Sequence, residues 1–177
     1  VDHDIFLPGN ICRHPLDWRD ICEHKVDAVK RQLTHIAPGV NVETSRLHLT
    51  GQESTAALNN TLTHLTECDL IVDATASSSA FNLLAAVSTK TKTPLVWMEV
   101  YAGGIGGMIA RSRPDSDPDP YAMKHAYLDV LSKSNEPNIK TINNYLAHSD
   151  ENEVMIATDA DVSIIASYAS KLVLDSL

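Results

Sequence analysis

Leu70-Ile71-Val72-Asp73-Ala74-Thr75 is the stretch that decides the fold. Consecutive apolar residues that end in an acid are typical of a short parallel strand covered on both faces. Small residues then predict a turn over residues 74–79, a Leu- and Ala-rich stretch predicts a helix over 81–87, and a second apolar strand is predicted over 94–100. Strand, helix and strand in this order predict a right-handed crossover and a parallel sheet.

Upstream of this stretch, two further elements are predicted. Val26, Val29, Leu33 and Ile36 recur at helical spacing, so residues 25–36 are predicted to form a helix with one buried face, which Pro38-Gly39 ends. Apolar and polar residues alternate over 40–49, which predicts a half-buried or edge strand. A second helical pattern then begins at Ser54.

Downstream, a glycine cluster follows the second strand at positions 103, 104, 106 and 107. It is followed by residues without helical periodicity and then by a proline, so it predicts a twisted turn into another strand and not a dinucleotide-binding loop. Residues 111–120 are predicted to form a loop, 121–132 a helix and 153–157 a short strand, while 138–148 is ambiguous. Thr158 or Asp159 is predicted to cap a last helix, whose inner face is Val162, Ile165, Ala169, Leu172 and Val173.

Composition excludes several classes of protein. The 177 residues carry 14 Lys and Arg against 23 Asp and Glu, a net charge of −9, and this balance disfavours binding to nucleic acid or to anionic membrane surfaces. The mean hydropathy is −0.12, and no apolar run has the length of a membrane span. The three cysteines include no Cys-x-x-Cys pair, which argues against a disulfide framework or a four-cysteine zinc site and favours the cytoplasm.

Polar residues at the carboxyl ends of strands are the first candidates for a ligand site in an open α/β sheet. Asp2 or Asp4 could hold ribose hydroxyls, or could be a loop acid that caps its own turn. Asn10, Arg13 and Lys25 offer an amide and two cations, which suits a triphosphate, although both cations could equally be solvated surface groups.

Asp73 ends an apolar strand and is followed by residues small enough for a ligand to approach the backbone. A carboxylate at such a point is a natural magnesium ligand where phosphates share the site. The alternative is an acid that caps the following helix. The eight histidines include no His-x-x-x-His pair, and there is no Gly-x-Ser-x-Gly, so local metal motifs and hydrolase nucleophiles have little support.

Taken together, the order and spacing of these features resemble the ThiF/MoeB/HesA family of adenylating enzymes, which are related to ubiquitin-activating enzymes. The features are Asp2-x-Asp4, Asn10-x-x-Arg13, Lys25 at a helix start, Ile36-Ala37-Pro38, the run from Cys68 to Thr75, and Pro94-Leu95-Val96. The resemblance implies an α/β fold, a Rossmann-like three-layer sandwich with a mostly parallel sheet. It implies a single adenylating domain over residues 1–177 that lacks its first strand-loop-helix, with 111–157 as a crossover or insert region.

The resemblance also implies a reaction. ATP and Mg²⁺ activate the C-terminal carboxylate of a ubiquitin-like or sulfur-carrier protein as an acyl-adenylate, and pyrophosphate is released. Asp2 would hold the ribose, Asn10, Arg13 and Lys25 the phosphates, and Asp73 the magnesium ion, with Arg13, Lys25 and Asp73 as the catalytic set. A bacterial, cytoplasmic homodimer is expected, with no nucleic acid or membrane as partner.

The sequence departs from the family pattern at three points. The glycine-rich loop expected before Asp2 is not in this sequence, so this chain alone is expected to be an inactive fragment. Ala76 and Ser77 stand where an acid and Asn often follow the magnesium ligand, and no cysteine follows Cys68 to accept the acyl group. Two alternatives therefore stay open: a catalytically silent subunit that keeps the fold for binding and assembly, and an NAD(P)-dependent oxidoreductase.

Overall fold

The computed structural model describes residues 1–49, 55–133, 146–148 and 154–177. Its internal contacts divide the chain into two compact units, Val1–Thr61 and Leu62–Leu177, and each is described by itself. Helix α2, Thr55–Thr66, runs from the first unit into the second.

The first unit is built on helix α1, Lys25–Ile36, whose bounds are those predicted from the sequence. Two short 3-10 turns, Pro8–Arg13 and Trp18–Asp20, precede it. Its buried cluster consists of Phe6, Leu16 and Ala28, with Ile21 and Val29 packed against them.

The predicted inner face of α1 is covered over its first half. Val26 and Val29 are partly buried, but Leu33 is 41% exposed and Ile36 74% exposed. The prediction that all four residues pack inward is therefore wrong for the last turn, because helical spacing identifies a shared face but not the length over which a neighbour covers it.

Residues 40–49 do not form the predicted strand. From Ser45 to Leu49 their side chains alternate between exposed and more buried, as an extended chain requires, and the N–H of Asp2 donates to the carbonyl of Ser45 at 3.0 Å. A strand needs a ladder of such bonds with a neighbour. The described residues of this stretch have no such ladder, so the alternation was right and the strand was wrong.

The second unit contains a sheet with the strand order β1-β2-β3: β1 is Ile71–Asp73, β2 Leu95–Tyr101 and β3 Gly106–Ser112. β1 and β2 are parallel, with Asp73 opposite Trp97, and helix α3, Ser78–Thr91, connects them as predicted. β2 and β3 are antiparallel.

The glycine cluster spans the turn between β2 and β3 and the first two residues of β3. A 3-10 turn over Ala102–Gly104 contains Gly103 and Gly104 with φ of 62° and 94°, values that residues with a Cβ rarely adopt. The prediction of a twisted turn into a further strand, rather than a dinucleotide-binding loop, is confirmed.

Helix α4, Pro120–Lys133, and strand β5, Val154–Ile156, agree with the predicted helix and last strand. β5 pairs antiparallel with β4, Leu146–His148, the described part of the ambiguous stretch 138–148. Helix α5, Asp159–Leu174, closes the chain. Its predicted inner face is the more covered one: Ala169 is 1% exposed, and the other four residues of that face are partly buried.

Helices cover the sheet along β2. The ring of Trp97 meets Phe81 of α3 edge-on, with centroids 5.3 Å apart, whereas Gly107 on β3 faces Ile165 of α5 too closely for a Cβ to fit. The fold is thus mixed α/β, with a small and partly parallel sheet. A mostly parallel sheet and a three-layer sandwich are not confirmed, since one of the two pairings in this described sheet is antiparallel.

Candidate functional site

The first unit brings Asp2, Asp4 and Lys25 together. The N–H of Asp4 donates to Asp2 Oδ1 at 2.9 Å, and Lys25 Nζ donates to Asp4 Oδ2 at 2.6 Å. The side chain of Lys25 is 17% exposed and that of Asp4 is 47% exposed. The hydrogen bond from Lys25 lowers the pKa of Asp4.

This arrangement distinguishes Asp2 from Asp4, which the sequence left as equal candidates for a ribose contact. Asp4 neutralises Lys25, a cation that the helix dipole disfavours at the start of α1, and Asp2 is therefore the better candidate for a ribose contact. The pairing joins residues 21 positions apart, which no local pattern indicates.

Asn10 and Arg13 lie on the 3-10 turn Pro8–Arg13, which ends at Arg13. The amide oxygen of Asn10 accepts the N–H of Leu7 at 2.9 Å, and the N–H of Asn10 donates to the carbonyl of Leu7 at 2.8 Å. Because the oxygen closes the turn, the NH₂ group of Asn10 is the part that can donate to a ligand.

His14 is a residue of this region that sequence reasoning missed. Its Nδ1 accepts the N–H of Leu16 at 3.2 Å, and its ring meets Phe6 edge-on, with centroids 5.2 Å apart. Burial is the main cause that lowers the pKa of His14, and the charge of Lys25 is the next. The one signal in the sequence was its position directly after Arg13.

Asp2, His3 and Asp4 each place one ligand atom within 4.8 Å of the others. The ring of His3 stacks on His48 with centroids 3.9 Å apart. A metal ion here would compete with Lys25 for Asp4, and the acids are among the exposed or half-buried groups of the unit, so this cluster has no feature that selects a cation.

Asp73, in the second unit, lies at the carboxyl end of β1 as predicted, but it is 3% exposed and not an exposed acid. Both the N–H and the hydroxyl of Thr75 donate to its Oδ1, at 2.9 and 2.7 Å. The alternative in which Asp73 caps α3 is wrong, because Ser77 is the N-cap and accepts the N–H of Ala80.

Cys12, Cys22 and Cys68 are exposed free thiols. Among the helices that the structure describes, none combines the length and the apolar character needed to cross a bilayer.

Comparison with known proteins identifies the family. The chain is 31% identical over 118 residues to the ATP-dependent ubiquitin transferase-like protein Cap2 of Pseudomonas aeruginosa (strain BWHPSA011 / Pa011). The aligned part is 66% of this chain and 20% of that protein, so the chain spans about a fifth of the length of this relative. The profile of the ThiF family matches residues 1–154, which include all five predicted site residues, and the chain therefore belongs to the ThiF family.

Proposed function

We propose that this chain is part of an enzyme that uses ATP to adenylate the C-terminal carboxylate of a ubiquitin-like or sulfur-carrier protein, with release of pyrophosphate. The observation that carries the proposal is the grouping of Asp2, Asn10, Arg13 and Lys25 in one compact unit of a ThiF-family chain. The similarity to a protein described as ubiquitin transferase-like supports the substrate class.

In this proposal, the first unit binds the nucleotide. Asp2 accepts ribose hydroxyls through Oδ2, because its Oδ1 is engaged by the N–H of Asp4. An ammonium group has three donors, so Lys25 can keep Asp4 and still donate to phosphate oxygens. Arg13 contributes a planar fork that suits phosphate, and Asn10 contributes its NH₂ group.

The surroundings of Asp73 fit a magnesium ligand. Magnesium prefers oxygen ligands and is commonly bound by one or two carboxylates together with substrate phosphates. Thr75 fixes Oδ1 and so orients Oδ2 as the atom offered to a cation. The bound ion would neutralise charge on the departing pyrophosphate.

The chemistry needs position and charge neutralisation rather than a protein nucleophile. The substrate carboxylate is already ionised at neutral pH and attacks the α-phosphorus in line. A bond from the carboxylate oxygen to phosphorus forms as the bond from phosphorus to the pyrophosphate oxygen breaks. Arg13 and Lys25 stabilise the negative charge that moves onto the leaving group.

We further propose that the complete domain is a Rossmann-like three-layer sandwich with a mostly parallel sheet, and that a glycine-rich strand-turn-helix extends it upstream. We propose that this domain acts as a homodimer in the bacterial cytoplasm. Within the described part of the chain, β1 pairs with β2 on one side, and Val72 on β1 is 47% exposed. An apolar strand with an uncovered face and an open edge can accept a further strand and helix, which supports the extension.

Calorimetric titration of Mg-ATP tests the proposal on this chain and on a version extended upstream by about 40 residues, enough for one strand-turn-helix unit. We expect ATP binding by the extended form and little by the chain alone. Absence of binding by either form would favour a silent assembly subunit, whereas binding of NADH would favour an oxidoreductase.

A second titration compares ATP with AMP in variants of the extended form. Arg13→Ala and Lys25→Ala should each weaken ATP by about tenfold or more and AMP much less, because the lost bonds are charge-assisted contacts to the outer phosphates. Arg19→Ala and Lys30→Ala are matched controls at exposed positions of the same unit and should leave both affinities unchanged. Equal weakening of ATP and AMP would contradict the phosphate contacts.

A further inference from the structure

His14 joins the turn that carries Asn10 and Arg13 to the buried cluster of the first unit. It directly follows the 3-10 turn, its ring packs on Phe6, and its Nδ1 accepts the N–H of Leu16. Phe6 is fully buried and Leu16 is 4% exposed, so both contacts of the ring are with fixed parts of the core. The ring therefore anchors the end of the turn.

The hydrogen bond determines which form of the imidazole fits. A neutral ring accepts at one nitrogen and donates at the other, so acceptance at Nδ1 places the proton of His14 on Nε2. A protonated ring has donors at both nitrogens, and its Nδ1–H would face the N–H of Leu16. Protonation thus breaks the anchor.

We propose that neutral His14 is a positioning residue that holds Arg13 in place for the polyphosphate of the ligand, and that protonation of its ring releases this hold. The inference rests on the proposed nucleotide site. It assigns His14 a structural action on its neighbour and no direct contact with phosphate.

The charged groups around the His14 ring have opposite effects on its protonation. Lys25 at the start of α1 and Arg13 in the preceding turn disfavour an imidazolium, while Asp2 and Asp20 favour it. Phe6 and the partial burial of the ring favour the neutral form. A direct phosphate ligand would bind its anion more tightly when protonated, whereas a positioning residue loses affinity on protonation, so the sign of the pH effect separates the two roles.

The experiment measures the affinity of the upstream-extended form, called the original chain below, for inorganic tripolyphosphate in magnesium-free buffer by calorimetry. The variants are His14→Asn, which keeps an acceptor near the position of Nδ1, His14→Leu, which keeps the packing on Phe6 but has no acceptor, and Arg13→Ala. Thermal melts confirm that each variant is folded. At about pH 7.5 we expect His14→Leu to bind about fivefold more weakly, the effect of one neutral hydrogen bond, and His14→Asn to bind within about twofold of the original chain.

The pH profile is read as the ratio of the affinities of the original chain and of His14→Asn, which cancels the titration of the phosphate itself. Burial and the charge of Lys25 lower the pKa of His14, so the ring titrates below the usual range of a histidine. We therefore expect the original chain to lose affinity relative to His14→Asn, by up to about fivefold, as the pH falls from about 7.5 to about 5. A gain at low pH would make His14 a direct phosphate ligand and overturn the inference.

Two further outcomes separate the inference from the proposed function. If the original chain binds tripolyphosphate and Arg13→Ala weakens it, but His14→Leu binds normally, the phosphate site stands and the positioning role is wrong. If the original chain does not bind, or Arg13→Ala has no effect, the phosphate site itself fails, and the role of His14 fails with it.

Discussion

Replacing Asp73 tests both the proposed magnesium contact and the local structure at the end of β1. Its carboxylate is buried and accepts two hydrogen bonds from Thr75. Bonds to a charged acceptor contribute roughly 1.5–3 kcal/mol each, but Thr75 is exposed, so water can replace the lost partner in part. We therefore expect Asp73→Ala to lower the free energy of unfolding by about 2–3 kcal/mol, more than the roughly 0.5 kcal/mol typical of a surface substitution.

Asp73→Asn separates the two roles. Asparagine keeps an oxygen at the position of Oδ1 and nearly the same volume, so the expected loss of stability is about 1 kcal/mol or less. It removes the negative charge on which a magnesium contact depends. Asp69→Asn, at an exposed position just before β1, is the matched control.

The assays are chemical unfolding of the 177-residue chain and ATP–pyrophosphate exchange by the upstream-extended form. Asp73→Asn should abolish exchange and stay folded, Asp73→Ala should lose both exchange and stability, and Asp69→Asn should change neither. Retention of exchange by Asp73→Asn would show that the charge of this carboxylate is not used in the reaction. An unchanged unfolding free energy in Asp73→Ala would refute the energetic reasoning about Thr75.

Two further predictions concern stability. Gly104→Ala should lower the free energy of unfolding by about 1–3 kcal/mol in chemical unfolding, because φ is 94° and a Cβ would lie 2.7 Å from Asp161 Oδ2. Gly39→Ala is the control: a Cβ there would meet nothing within 4 Å, and the expected loss is less than about 1 kcal/mol. The pKa of Asp4 is lowered in the folded chain, chiefly by the hydrogen bond from Lys25. The Asp4 carboxylate therefore stabilises the folded chain at pH values above its unfolded pKa, and this contribution is lost as the pH falls through the lower pKa of the folded chain. Since the Asp4 side chain is 47% exposed, solvent screening limits this contribution to roughly 0.2–1 kcal/mol, and acid-unfolding curves of Asp4→Asn should lack that part of the pH dependence.

The sequence predicted elements whose signals are local. Helix α1 has the predicted bounds because apolar spacing and Pro38-Gly39 mark both its face and its end. Helix α5 begins at the predicted cap, where Asp161 Oδ2 accepts both the N–H and the hydroxyl of Thr158 at 2.8 Å. The turn at Gly103 and Gly104 followed from the absence of a helical pattern after it.

Features that depend on distant partners were not predictable in this way. Residues 40–49 have strand-like alternation but no ladder among the described residues, and a ladder depends on a neighbouring strand that the pattern cannot reveal. The exposure of Leu33 and Ile36 likewise depends on what packs against α1. The ion pair between Asp4 and Lys25 required the fold, because 21 residues separate the partners.

The local geometry of the candidate side chains is more predictable than the packing around them, and their hydrogen bonds explain why. Three of the site side chains have an oxygen that accepts the backbone N–H of a residue two or three positions away, each at 2.9 Å: Asp2, Asn10 and Asp73. Such bonds are properties of short peptides with Asp or Asn at a turn, and they orient the side chain before any distant contact forms. A motif of a few residues therefore holds one oxygen of the side chain in place and leaves its other polar atom for a ligand. The spacing between motifs says less about the structure, because the distance between turns depends on packing. The predictions that failed are those that depended on such packing.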